Sequence, residues 1–328
     1  MKKILTVSIA AYNVEKFLNK TLDSLIIDNM DYLEVLIVND GSKDKTASIA
    51  KKYCKKYPNT FKLINKKNGG YGSTINIGIK NATGKYFKQL DGDDWYNSNE
   101  LEIIINKLKI EKSDVVYTPF IIYSEVDEST QISGFYEEEY SGKIDSFLKN
   151  AGRMNMHSLM FKTSILKNNN ITIDEHCFYT DVEYVLYPLL YCDSITVLKE
   201  PLYVYRIGRD EQSVSKQGKL KHYKDHIRMS KNILNIVPSI EKLSKNKRRY
   251  FENYIAEIET TTINGFLMLL KSNRDNYLKI QEFDSFVKSR SENIYFEMNN
   301  YAKTISIIRK NNYLLYKLLK IYKNIKGD

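Results

Sequence analysis

The stretch "LEVLIVNDGSKDKTASIAKKYCKKY", Leu33 to Tyr57, decides how this chain folds. Its first eight residues are a nearly continuous apolar run that turns polar at Asn39, the pattern of a short strand buried on both faces. Asp44 then stands where it can cap a helix over 45–57. Strand, polar loop and helix make one unit of a parallel sheet, and the unit repeats on both sides. Upstream lie a strand "ILTVSIA" (4–10) and an amphipathic "VEKFLNKTLDSLI" (14–26), with Phe17, Leu18, Leu22 and Leu25 at helical spacing. Downstream come "FKLINK", "STINIGIKNA", "KYFKQLD" and "NELEIIINKLKI", alternating strand and helix as far as Ile110. Such alternation predicts an α/β fold with a mostly parallel sheet and crossovers on its faces.

In open sheets of this kind, ligands bind beyond the carboxyl ends of the strands. The residues expected there are Ala11-Tyr12-Asn13, Asn39-Asp40-Gly41-Ser42, Asn68-Gly69-Gly70 and Asp91-Gly92-Asp93-Asp94. Three carboxylates within four residues repel one another unless something positive compensates them. A hard divalent cation, Mg²⁺ or Mn²⁺, suits such oxygen donors and is commonly shared with substrate phosphates. Gly92 would let the backbone approach a ligand closely.

Other sites fail on spacing. A dinucleotide fingerprint needs a third glycine where Ile75 stands, and a P-loop fails because five residues separate Gly78 from Gly84. An EF-hand from Asp91 has Glu102 in its twelfth position but Trp95 and Tyr96 in its fifth and sixth. His222 and His226 lack the glutamate of a zinc-protease helix and read as a solvated face. No G-x-S-x-G elbow is present.

With 328 residues, 42% hydrophobic and 27% charged, the chain is long enough for one large domain plus an extension. Cys54, Cys177 and Cys192 match no zinc or redox spacing, which predicts a reduced, cytoplasmic setting. The apolar run from Ile4 is too short and too soon polar for a secretion signal, and no uncharged run of about 18 residues could span a membrane. The net charge of +10 is uneven: from Val214 onward there are 23 Lys and Arg against 11 Asp and Glu. A division at 213/214 follows, with a helical, basic C-terminal region that suits an anionic partner.

Four ordered segments, "VSIAAYNVEKFLNKTLDSL", "EVLIVNDGSKDKT", "NGGYGSTINIGIKNATGKYFKQLDGDDW" and "FYTDVEYVLYPLL", together resemble the family 2 glycosyltransferases of GT-A fold, a nucleotide-diphospho-sugar transferase architecture. The resemblance runs from about Lys3 to Ser213 and implies an inverting enzyme with a nucleotide-sugar donor, UDP-linked in the usual case. It implies nucleotide contacts for Tyr12, Glu15, Asp40, Asn68, Gly70, Asn76 and Asp91, with Asp40 at the edge of the base. It makes Asp93, with Asp91, the metal ligand, and sets Asp94 in support or toward the sugar. Asp181 falls where the family has its catalytic base, although Thr180 replaces the acid that normally precedes it. From the residues alone, Asp181 reads equally as a first-turn helix acid, and Glu183 is the fallback base.

The acceptor side is less marked. Trp95 could stack on a sugar or fill a core, and "GRMNMHSLMFKTSIL" nominates Met156 and His157. Arg206 and Arg209 suit a lid over the diphosphate. The tail "YLLYKLLKIYKNIK" (313–326) is basic and amphipathic, reading either as a packed helix or as a peripheral contact with the inner face of the plasma membrane. A membrane contact would suit a lipid-linked glycan acceptor. The enzyme reading requires no nucleic acid; the alternative is a non-catalytic basic protein that binds membrane or nucleic acid.

Overall fold

The computed structural model describes residues 2–208, 215–266, 269–270 and 273–310. The chain divides into two compact units, Met1–Arg209 and Asp210–Asp328. Arg209 and the tail 313–326 lie outside the described residues.

The first unit holds twelve strands: β1 Leu5–Ala11, β2 Leu33–Asn39, β3 Phe61–Asn65, β4 Tyr86–Asp91, β5 Trp95–Tyr96, β6 Val115–Tyr117, β7 Phe120–Ser124, β8 Thr130–Ser133, β9 Tyr140–Lys143, β10 Leu159–Lys162, β11 Ser194–Val197 and β12 Tyr203–Ile207. Eight form one sheet in the order β3-β2-β1-β4-β10-β6-β11-β9. Its first four strands are parallel, as the strand–helix repeat predicts. The sheet becomes mixed at β10, which runs antiparallel to both β4 and β6. A second sheet, β5-β12-β7-β8, stands apart.

Every residue of β2 is buried, including Glu34 at 1% exposure. Thr6 Oγ1 and the Thr83 backbone N–H donate to Glu34 Oε2 at 2.7 Å each, and Lys62 Nζ reaches Oε1 at 2.9 Å. A fully satisfied acid can therefore sit inside a strand that reads as apolar. The helix expected over 14–26 is shorter, Leu18–Asp23, and buries Leu18, Thr21 and Leu22. Asp44 Oδ1 accepts the Thr46 N–H at 2.9 Å at the start of the helix Thr46–Lys56.

The second unit is helical, with principal helices Tyr223–Ile233, Lys245–Thr261, Arg274–Arg290 and Glu292–Tyr301. His226 is not on a solvated face: it is 5% exposed, and its Nδ1 lies 3.1 Å from the Thr262 hydroxyl. Among the described residues, no helix is long and apolar enough to cross a membrane.

Candidate active site

The carboxyl ends of β1, β2 and β4 carry the loops that build the rim. The loop after β1 is laced to the loop after β2: Asn13 N–H donates to Ser42 Oγ at 3.0 Å, Asn13 Oδ1 accepts the Lys43 N–H at 2.9 Å, and Glu15 Oε2 accepts the Lys45 N–H at 2.8 Å. Tyr12 is left 49% exposed beside this seam.

Asp40 is buried, and its carboxylate organises the glycine loop. The Gly69 and Gly70 N–H groups donate to it at 2.9 Å each, and Lys66 Nζ does so at 2.6 Å. Asn68 Nδ2 donates to the Asp40 carbonyl at 3.0 Å. Gly70 opens the helix Tyr71–Asn81 at a φ of +83°, and a Cβ there would lie 3.1 Å from the His176 nitrogen. Asn76, expected near the nucleotide, pins the chain at Ile173: its Nδ2 donates to the Ile173 carbonyl and its Oδ1 accepts the Ile173 N–H, both at 2.8 Å.

After β4 the acidic turn folds back on β1, with Gly92 N–H donating to the Ala10 carbonyl at 3.0 Å. A Cβ on Gly92 would stand 2.8 Å from that same oxygen. Thr21 Oγ1 lies within hydrogen-bond reach of the Gly92 and Asp94 carbonyls, at 3.0 and 2.7 Å. Tyr71 Oη donates to Asp91 Oδ1 at 2.7 Å, Tyr203 Oη to Asp94 Oδ2 at 2.6 Å, and the Arg206 N–H to Asp94 Oδ1 at 2.8 Å. Burial pushes the carboxyls of Asp91 and Asp94 upward, and the neighbouring charge of Asp93 pushes them further.

Arg206 occupies a position different from the one expected for a lid. It is 8% exposed, its Nε donates to the Asp93 carbonyl at 2.8 Å, and its guanidinium pairs with Glu125. It lies 4.9 Å from the ring centres of both Phe17 and Trp95. The guanidinium thus clamps the acidic turn from below. Trp95 also has the Lys20 ammonium 3.3 Å from its ring centre and Tyr123 packed edge-on, and the half-buried ring lines a cavity with both.

His157 joins the acids from the 3₁₀ turn Met156–Ser158. One donor atom from each of Asp91, Asp94 and His157 lies within 4.8 Å of the other two. The imidazole stacks on Tyr205, with ring centres 4.4 Å apart, and burial together with the Lys88 charge lowers its pKa to about 3. It is therefore neutral, and its buried Nδ1 has no hydrogen-bond partner among the described residues. Two carboxylates and a neutral imidazole can hold a divalent cation, Mn²⁺ more readily than Mg²⁺, which prefers oxygen donors alone. Sequence reasoning paired Asp93 with Asp91 at the metal; the fold also sets Asp94 and His157 beside Asp91. The "DGDD" spacing gave no sign of which acid turns inward.

Asp181 opens the helix Asp181–Leu189 and faces the same cluster: its charge acts on both Asp91 and Tyr71. Burial raises its pKa, and Arg153 opposes that shift. Glu183, two residues on, is 0% exposed, and its Oε2 accepts the Asp174 N–H at 2.8 Å, a structural anchorage inside the protein.

An α/β sheet with an acid cluster at its strand ends is the GT-A architecture, and solved structures share this fold. S. aureus TarS 1–349 in complex with UDP-GlcNAc superposes with a TM-score of 0.62 at 19% identity, over 94% of this chain and 92% of that one. The Pyrobaculum calidifontis mannosyltransferase PcManGT in complex with GDP-Man and Mn²⁺ gives 0.52 at 14% identity, over 99% and 88%. Residues 6–173 match the model of Glycosyl transferase family 2, and the chain belongs to that family. Among relatives, it is 30% identical over 238 residues to the minor teichoic acid biosynthesis protein GgaB of Bacillus subtilis (strain 168), covering 70% of this chain and 26% of GgaB. It is 27% identical over 214 residues to the uncharacterised glycosyltransferase EpsJ of the same organism, covering 63% of this chain and 62% of EpsJ. The chain spans less than two thirds of the length of these curated relatives.

Proposed function

We propose that this glycosyltransferase moves a sugar from a UDP-linked donor to a hydroxyl of a glycan or lipid-linked acceptor, inverting the anomeric centre in a single displacement. The convergence of Asp91, Asp94, His157 and Asp181 on one rim carries this reading. The UDP-GlcNAc held by TarS supports the donor class, and the teichoic acid role in GgaB's name supports a cell-surface polymer as the product.

In the reaction, the acceptor oxygen bonds to the anomeric carbon as that carbon's bond to the phosphate oxygen breaks. The electron pair leaves on the nucleoside diphosphate, and the acceptor proton passes to the Asp181 carboxylate. A carboxyl raised by burial is a better base near neutral pH, and the helix N-terminus at Asp181 helps keep it ionised beforehand. Asp91, Asp94 and His157 would hold a divalent cation such as Mn²⁺, and that ion would supply positive charge against the departing diphosphate. Asp40 would act on the nucleotide through the glycine loop that it anchors, while Tyr12 and Glu15 border the opening.

The test is a panel of nucleotide-sugars with Mn²⁺, scored by release of nucleoside diphosphate. UDP release above background that disappears in Asp91→Asn supports the reading. Release from no UDP-sugar, with or without metal and acceptor extract, sinks it.

A further inference from the structure

Lys88 lies in the middle of β4, three residues before Asp91, and is 0% exposed. Lysines are almost never fully buried without a charged partner, because an ammonium out of water is costly. Among the described residues Lys88 has no carboxylate partner. Its Nζ donates instead to the backbone carbonyls of His157, at 2.6 Å, and Leu159, at 3.4 Å.

The sheet register explains the arrangement. β10 pairs with β4 only at Phe161↔Phe87 and Lys162↔Tyr86. Beyond that point the pairing of the two strands ends, and β10 leads back into the turn Met156–Ser158. Lys88 is the next residue along β4, and its side chain bridges to the carbonyls that the ladder no longer serves.

We propose that Lys88 is a positioning residue: its buried side-chain nitrogen fixes the 156–158 turn so that the His157 imidazole stands beside Asp91 and Asp94. The proposal rests on the reading of those three residues as a cation site. An apolar side chain of similar length would fill the space but leave both carbonyls without their donor, freeing the turn. Groups that orient a metal ligand from behind are worth roughly 10–100-fold in metal affinity when removed.

The experiment measures Mn²⁺ binding by electron paramagnetic resonance, with UDP present, in the wild type, Lys88→Met, His157→Ala and the double variant. Nitrogen coupling to bound Mn²⁺ is recorded by pulsed methods. The expected result is a loss of about tenfold or more in Mn²⁺ affinity for Lys88→Met. The nitrogen coupling weakens, and the double variant binds no worse than His157→Ala alone, because both changes remove the same interaction. Wild-type affinity in Lys88→Met while His157→Ala is impaired, or losses that multiply in the double variant, would overturn the role of Lys88. Unchanged affinity in His157→Ala would overturn the underlying cation site, and the proposal with it. Should Lys88→Met fail to fold, Lys88→Gln keeps an amide donor on a shorter side chain; an intermediate affinity supports the proposal and a wild-type value refutes it.

Discussion

The Tyr203 hydroxyl donates to Asp94 Oδ2 across 2.6 Å, linking a strand of the small sheet to the acidic turn 109 residues earlier in the chain. The same oxygen accepts the Asp91 N–H at 3.2 Å. One phenol therefore fixes two members of the acid cluster. Tyr203→Phe removes that donor from a buried carboxyl, which should cost about 1.5–3 kcal/mol of stability. Urea denaturation measures it, and a cost near zero would mean that the hydroxyl is dispensable to the turn.

Asp181 and Glu183 separate by experiment. Asp181→Asn should lower kcat by roughly 10²–10⁴-fold while UDP affinity stays unchanged, since the proton acceptor is lost and the donor side is not. Glu183→Gln should act on stability, because its carboxylate holds the Asp174 N–H. A Glu183→Gln enzyme that is stable but dead, beside an active Asp181→Asn, would reverse the assignment.

Gly70→Ala forces a Cβ onto a residue at φ +83°, with the His176 nitrogen only 3.1 Å away. Strain of this kind costs about 1–3 kcal/mol. Because the Gly70 N–H binds Asp40, the loop should loosen as well. Both a lower Tm and weaker UDP binding by calorimetry are expected; an unchanged UDP affinity would detach the loop from the nucleotide.

Stability should depend on pH through the second unit. Burial raises the Glu259 carboxyl from 4.5 to about 8, with the Ser230 hydroxyl, which donates to it, opposing the shift. Its Oε1 has no hydrogen-bond partner among the described residues. The folded state thus binds a proton that the unfolded chain has released. The stabilisation is complete below about pH 4.5 and is lost as pH rises through about 8. Glu259→Gln should flatten the fall in Tm over that window, and a variant with the wild-type slope would exclude Glu259 as its source.

What the sequence made legible follows from where its information is local. β1 to β4 are short segments of five to seven residues rich in apolar side chains, with helices between, and their alternation and parallel pairing were readable. The small sheet was not, because β5 has only two residues and takes its strand character from pairing with Val204 and Tyr203. The rim itself was legible, since strand ends are where polar loops must emerge. The facing of each acid was not, because distant donors decide it: Tyr203 and Arg206 turn Asp94 inward. The same distant pairing made Arg206 a clamp where a loop reading suggested a lid. His226 looked solvated because its partner, Thr262, sits 36 residues away on another helix.

The order in which the rim is assembled matters for how the protein is made. The acidic turn leaves the ribosome more than a hundred residues before Tyr203 and Arg206, so for that interval a nascent chain carries its three carboxylates without the groups that later restrain them. Synthesis that stopped at residue 173, where the family match ends, would yield the nucleotide-facing strands but neither Asp181 nor the clamp. Such a fragment would lack the base proposed at Asp181, and a stalled or clipped product of this gene is expected to show no sugar transfer.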